Sequence, residues 1–354
     1  MVDIESIEEQ VKLNCNISDA RHWGYYLPCG LLLRLRDLYR IENKSRPWEK
    51  IGPEKIAGWI GAREGLWQEL EGADFHHIII GDKKYRPFDV KGINAALKGQ
   101  GLVYGAGYGN LLKPVFILAE LMEKNRIGRY DVYVLGRERA RDLSTVPAMI
   151  QGNTIILRYE TTNLFFWDKL EEMKARKSIG ALHHAFAEYG ILKDGLNRIS
   201  PEELEQALAN LTRKEISAYM HHEIGEASQR RLLGRWWKEL LVKIPYCRAQ
   251  MFLRSLKDVL ADTCDNGMLS YVIRSKQAGS LCFYIALPGG LRRTIFPDIA
   301  TASEEFLRTR DWNIIEKARL AGYGRAKRYA AQLKDSYDRG KISPEMIERE
   351  LMPK

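Results

Sequence analysis

NTIILRYE (153–160) is the last strand-like stretch in the first half of the chain, and the change of pattern just beyond it decides the fold. It is short, β-branched and aromatic, bounded by Gly152 and Asn153. Upstream lie three more stretches of the same kind: FHHIII (75–80), GLVYGAGYG (101–109) and YDVYVLG (130–136). Helical patterns precede them over 4–42 and 53–71, with Ser18 or Asp19 able to cap the segment that runs through Pro28 and Gly30. From about residue 172 apolar residues recur at helical spacing, in segments near 172–190, 201–209, 212–241, 247–263, 303–320 and 325–337. The pattern therefore predicts an α+β protein with a mixed N-terminal domain, 1–172, and a mainly helical C-terminal domain, 173–354. One interruption is expected in the second domain. LSYVIRSKQAGSLCFYIALPGGLRRTIFP (269–297) has turn signals at Gln277-Ala278-Gly279 and Pro288-Gly289-Gly290 and predicts a β-hairpin or meander.

Composition fits this division. With 354 residues, 45% of them hydrophobic, the chain is long enough for about two cores. No run approaches the ~20 apolar residues of a spanning helix, and the start MVDIESIEEQVKL is acidic and amphipathic where a signal peptide is basic and then apolar, so a cytoplasmic location is expected. The cysteines, Cys15, Cys29, Cys247, Cys264 and Cys282, are odd in number and lack a CxxC pair, which argues against a disulfide framework or a zinc knuckle. The net charge of +9 arises from 55 basic residues interleaved with 46 acidic ones, so nucleic acid is not an expected partner. The densest basic stretch, QRRLLGRWWKELLVK (229–243), places Trp236 and Trp237 on an apolar helical stripe rather than on a stacking platform. A small-molecule substrate is the expected partner.

NISDARHWGYYLPCGLLLRLRDLY (16–39), YVLGRERARDL (133–143), HHEIGEA (221–227) and LADTCDNGMLSYVI (260–273) resemble the sequences of an uncharacterised family of bacterial conserved hypothetical proteins, over nearly the full length. The resemblance implies no activity. Any chemistry has to come from the residues themselves.

The histidines carry the clearest signal. Six of the seven fall in adjacent pairs, His76-His77, His183-His184 and His221-His222, where random placement would give on the order of 0.1 pair. In ALHHAFAEYG (181–190) His184 and Glu188 are four residues apart and share a helix face, and in YMHHEIGEA (219–227) His222 and Glu226 do the same. Both pairs border apolar stripes, where imidazole and carboxylate need a metal or hydrogen bonds to compensate them. If the two helices meet, His184, Glu188, His222 and Glu226 converge as ligands of a divalent transition metal, iron, manganese or zinc, in a helical core. Asp262 of SLKDVLADTCDNG (255–267) is the preferred further ligand over Asp258, although Asp262, Thr263, Asp265 and Asn266 could equally end a helix that Gly267 closes in a left-handed cap.

A second version uses one helix. HEIGE matches the HExxH helix of zinc metallopeptidases except at its last position, and there Glu223 would be the catalytic general base of a zinc hydrolase. The third reading is a non-catalytic scaffold or weak nucleic-acid binder. Glycine-rich GQGLVYGAGYGN (99–110) matches neither GxGxxG nor GxxxxGK[ST], and its spacing predicts a tight turn.

Overall fold

The computed structural model describes residues 2–109, 112–176, 180–192, 200–287 and 289–352. The chain divides into two compact units, Met1–Asp168 and Lys169–Lys354.

The first unit begins with α1 (Ile4–His22), whose first turn is closed by Asp3 accepting from the Ser6 amide. After a 3-10 turn, α2 (Pro28–Glu42) starts on proline at its first position, where the missing N–H costs nothing. Helix α3 (Pro53–Leu70) comes next, then a two-stranded ribbon of β1 (Ile78–Ile80) and β2 (Lys83–Tyr85), and α4 (Val90–Ala96). A five-stranded sheet completes the unit: β3 (Leu102–Tyr108), β4 (Pro114–Ile127), β5 (Tyr130–Arg141), β6 (Ala148–Gln151) and β7 (Thr154–Arg158), in the order β3-β4-β5-β7-β6. All pairings are antiparallel except β5 with β7, which run parallel with Val132 opposite Ile155. Ile7, Val11 and Cys15 of α1 pack on Tyr104, Phe116 and Leu118 of the sheet. Of the glycine-rich stretch, Gly99 and Gly101 form the expected turn at positive φ and Asn110 lies outside the described residues, while Leu102–Tyr108 is strand β3. Gly105 sits there because a Cβ would stand 2.8 Å from Ile117 Cγ2 on β4.

Helix α5 (Tyr159–Arg176) starts directly on β7, well before the point that the apolar spacing indicates. The second unit is helical throughout its described residues: α6 (Ala181–Glu188), α7 (Pro201–Ser228), α8 (Arg230–Lys243), α9 (Arg248–Thr263), α10 (Met268–Arg274), α11 (Ala278–Ala286), α12 (Gly290–Ile295), α13 (Asp298–Thr309), α14 (Trp312–Asp338) and the short α15 (Pro344–Met346), which runs into a π turn at Ile347–Leu351. Helix α9 is the axis of this unit. Its Phe252, Leu253, Leu256, Val259 and Leu260 are fully buried, and α7, α10, α12 and α14 pack around it. Trp236 and Trp237 of α8 join the same core, as the apolar stripe requires.

The mixed-then-helical architecture agrees with the sequence. The expected hairpin or meander at 269–297 does not form: the segment folds as α10, α11 and α12, while Pro288 lies outside the described residues. The physical reason is tertiary. Leu269, Val272 and Ile273 bury one face at i, i+3, i+4 spacing, and Leu281 and Tyr284 another, so packing overrides the β-branched and aromatic composition. Gly267 likewise does not close α9 in a left-handed cap. Its φ is −83°, it leads into α10, and it is needed because a Cβ would stand 2.1 Å from the Ala261 carbonyl oxygen.

Among the described residues, no helix is long and apolar enough to cross a membrane.

Candidate functional site

Helices α7 and α9 cross at a point where no side chain separates them. A Cβ on Gly225 would stand 2.2 Å from the carbonyl oxygen of Ala261, so only glycine permits this approach. The contact fixes what lies one turn to either side. His222 and Glu226 of α7 face Asp258 and Asp262 of α9, two i, i+4 pairs held opposite one another.

The four side chains interlock. His222 Nδ1 lies 2.6 Å from Asp262 Oδ1, and its Nε2 lies 3.5 Å from Glu226 Oε1. One ligand atom each from His222, Glu226 and Asp258 falls within 4.8 Å of the others, the one such group of three or more among the described residues. Two cations close the cluster. Lys257 Nζ binds Glu226 Oε1 at 2.7 Å, and Arg292 of α12 pairs with Asp258 while its Nη1 stands 3.6 Å from Asp262 Oδ2.

Burial and charge set the protonation states. Burial opposes the charge of His222, but Asp262, then Glu226 and Asp258, overcome it and hold the imidazole protonated well above the ordinary histidine range. Burial would likewise raise Glu226, yet His222 and Lys257 pull it down to about 2. The cluster therefore balances three positive groups, His222, Lys257 and Arg292, against three negative ones, Glu226, Asp258 and Asp262. Glu223 stands at its edge with a different character: burial, reinforced by Glu226 and Asp258, pushes its carboxyl up to about 7. One acceptor is left over. Asp262 is fully buried, and its Oδ2 has no hydrogen-bond partner.

His184 and Glu188 are not part of this cluster. Both are exposed on α6, and the Glu188 carboxylate is taken by Arg310 Nη1 at 2.6 Å. The reason is that α6 packs on α11. Tyr189, just past the end of α6, reaches α7 by donating to Glu215 Oε1 at 2.5 Å, seven residues and so roughly 10.5 Å along α7 from His222. Three of the other histidines also lie away from the cluster's ligand atoms, whereas His183 keeps a buried Nδ1 without a hydrogen-bond partner. His221 stacks on Tyr271 with ring centroids 4.0 Å apart and bonds the Ser217 carbonyl, and the His76-His77 pair is exposed ahead of β1 rather than within it.

Three members of the site give no signal in the sequence. Lys257 and Gly225 belong to no motif. Arg292 lies in a segment whose composition favours a hairpin, so nothing local could place it beside α9. Asp258 is visible as the i, i+4 partner of Asp262, and what distinguishes them is the imidazole ring: Asp262 is engaged by His222 Nδ1, whereas Asp258 falls in the group of three with His222 and Glu226.

No curated protein and no solved structure matches the chain. Family models do match it, one over residues 6–158 as the N-terminal domain and one over residues 163–354 as the C-terminal domain of a single family of unknown function. The chain belongs to that family, DUF6866, whose C-terminal domain contains every residue of the α7–α9 cluster.

Proposed function

We propose that His222, Glu226 and Asp258 hold a divalent transition metal, and that the protein is a metal-dependent enzyme acting on a small molecule. What carries this reading is the second nitrogen of His222. Its Nδ1 is fixed on Asp262 at 2.6 Å, the carboxylate–histidine pairing that sets the tautomer of a metal-ligating imidazole. Its Nε2 stands 3.5 Å from Glu226 Oε1, so an ion that displaces the Nε2 proton would meet Glu226 there, with an Asp258 oxygen in the same 4.8 Å group. Asp262 is then an orienting group rather than a ligand, and its spare oxygen can serve a bound water. One nitrogen with several carboxylates suits manganese or iron ahead of zinc.

The multi-helix and single-helix readings converge on α7. His222 and Glu226 supply the one-turn ligand pair of the hydrolase-like helix, Asp258 completes it from α9, and Glu223 is the candidate base. When bound, the ion supplies Lewis-acid chemistry to a substrate or water oxygen. Glu223 is suited to accept a proton there because its carboxyl titrates at about 7. His184 and Glu188 take no part.

A second reading rests on Lys257 and Arg292. They already neutralise Glu226 and Asp258, as a permanent ion network would. Elemental analysis separates the two. Protein purified without chelator should carry about one equivalent of manganese, iron or zinc, and His222→Ala should carry none. Metal-free protein whose melting temperature does not respond to any of the three ions would establish the ion network instead.

A further inference from the structure

Arg292 has a second surface. One side of its guanidinium meets Asp258 and Asp262, and the residue also lines a cavity of about 460 Å³ lying wholly within the second unit. Tyr284 does the same, buried beside Asp262 and exposed to the cavity wall. The cavity is of a size that suits a small organic ligand.

Its lining is divided by chemistry. Met173, Leu182, Ile285, Phe296 and Ile299 give it an apolar interior. Four cations surround that interior, Lys169, Arg176, Arg292 and Arg293, against a single acid, Glu172. Lys169 and Arg176 both lean on that one carboxylate, at 2.8 and 3.1 Å. Arg293 contacts the backbone carbonyls of Ile285 and Ala286, at 3.5 and 3.3 Å. Even with Arg292 assigned to Asp258, the cations around the cavity exceed its acids. A neutral or cationic ligand would leave that excess uncompensated, whereas a carboxylate or phosphate is recognised by guanidinium groups in a geometry they match.

We infer that this cavity binds an amphipathic organic anion, with the apolar body against Met173, Phe296 and Ile299 and the anionic head at Arg292 and Arg293. Arg292 then sets the head beside Asp258, which makes the cavity the substrate pocket of the α7–α9 site. This last step rests on the metal reading; the binding itself does not.

The test uses full-length protein treated with EDTA, so that its outcome is independent of metal content. Decanoate, decyl phosphate and decanol are titrated by calorimetry, and the charged pair distinguishes a carboxylate from a phosphate head. At least one anion should bind saturably and about tenfold or more tighter than decanol. Ala300 is exposed on the cavity wall, and Ala300→Trp should abolish binding by filling the space. Arg176 and Arg293 are also exposed, and the double variant Arg176→Ala/Arg293→Ala should weaken the anion by about tenfold while leaving decanol unchanged. The proposal is overturned if decanol binds as tightly as the anions, if none of the three saturates, or if Ala300→Trp binds undiminished. Failure of the metal reading would show separately, as protein purified without chelator that carries no metal and does not respond to added ions while its anion binding persists.

Discussion

Each unit buries charged side chains, the first unit more than one group of them, including Asp37, whose Oδ1 has no hydrogen-bond partner, and two of the groups differ in how completely they are closed. In the first unit Lys113 Nζ lies 2.7 Å from Asp19 and 3.0 Å from Asp142, all three nearly inaccessible. The Phe116 and Ser144 amides occupy the remaining sites on Asp142, and the Leu143 amide those on Asp19. Nearby, Arg158 grips Glu138 with two hydrogen bonds, at 2.9 and 2.6 Å, and Thr161 adds a third at 2.7 Å. These charges tie α1, β4, β5 and β7 together and use up their bonding capacity doing so. The α7–α9 cluster is balanced in charge but leaves an acceptor of Asp262 unmet, borders a carboxyl that titrates at about 7, and reaches a cavity through Arg292. A saturated network is architecture. An unsaturated one that touches a cavity has capacity left for a ligand.

That contrast can be broken first at Lys113. Lys113→Met should strand two buried carboxylates and cost about 3–5 kcal/mol in denaturant unfolding. A loss under ~1 kcal/mol would mean the first unit's charges are as loosely committed as those of the second.

A buried acid outside both groups gives the pH test. Glu215, on α7, accepts from Tyr189 and Ser280, and burial pushes its carboxyl up to about 7 despite those bonds. Because the folded pKa lies above the unfolded one, its stabilising contribution is complete below about 4.5 and fades as pH rises through about 7. The amount lost across that window is on the order of 3 kcal/mol. Glu215→Gln should reduce the slope by that share while Glu223, also pushed up to about 7, keeps its own, as melting curves at several pH values will show; an unchanged slope would assign it to other groups.

Gly225→Ala sharpens the comparison at the helix crossing. The methyl must push α7 from α9, at about 1–3 kcal/mol, and metal binding should fall with it. Asp262→Asn keeps the shape but weakens the hold on His222, which should reduce metal affinity roughly 10–100-fold with a smaller loss of stability. The smallest effect belongs to His184→Ala. On an exposed helix face it should change stability by less than ~0.5 kcal/mol and leave metal binding intact.

Much of this is legible in the sequence, and where it is not the reason is physical. Periodicity carries the change from strands to helices, and helix geometry alone puts His222 with Glu226 and Asp258 with Asp262. What periodicity cannot carry is which faces meet. His184 and Glu188 satisfy the same spacing rule as His222 and Glu226, yet α6 docks on α11 and turns Glu188 toward Arg310. The same blindness hides the first unit's ion network. In YVLGRERARDL the charges at Glu138, Arg141 and Asp142 look like those of a polar strand, although each is buried, because their partners include Arg158 of β7, Thr161 of α5 and Lys113 just ahead of β4. Arg292 is concealed by a segment whose composition favours strands and whose packing makes helices.

The proposed ligands are His222, Glu226 and Asp258 rather than the His/Glu pairs of two helices. Calorimetric titration of Mn²⁺ into chelator-treated protein tests it directly, with Asp258→Asn and His184→Ala alongside, each verified as folded by its melting curve. One ion per chain is expected in the wild type and in His184→Ala, and its loss in Asp258→Asn. Binding that survives in Asp258→Asn and disappears in His184→Ala would contradict it.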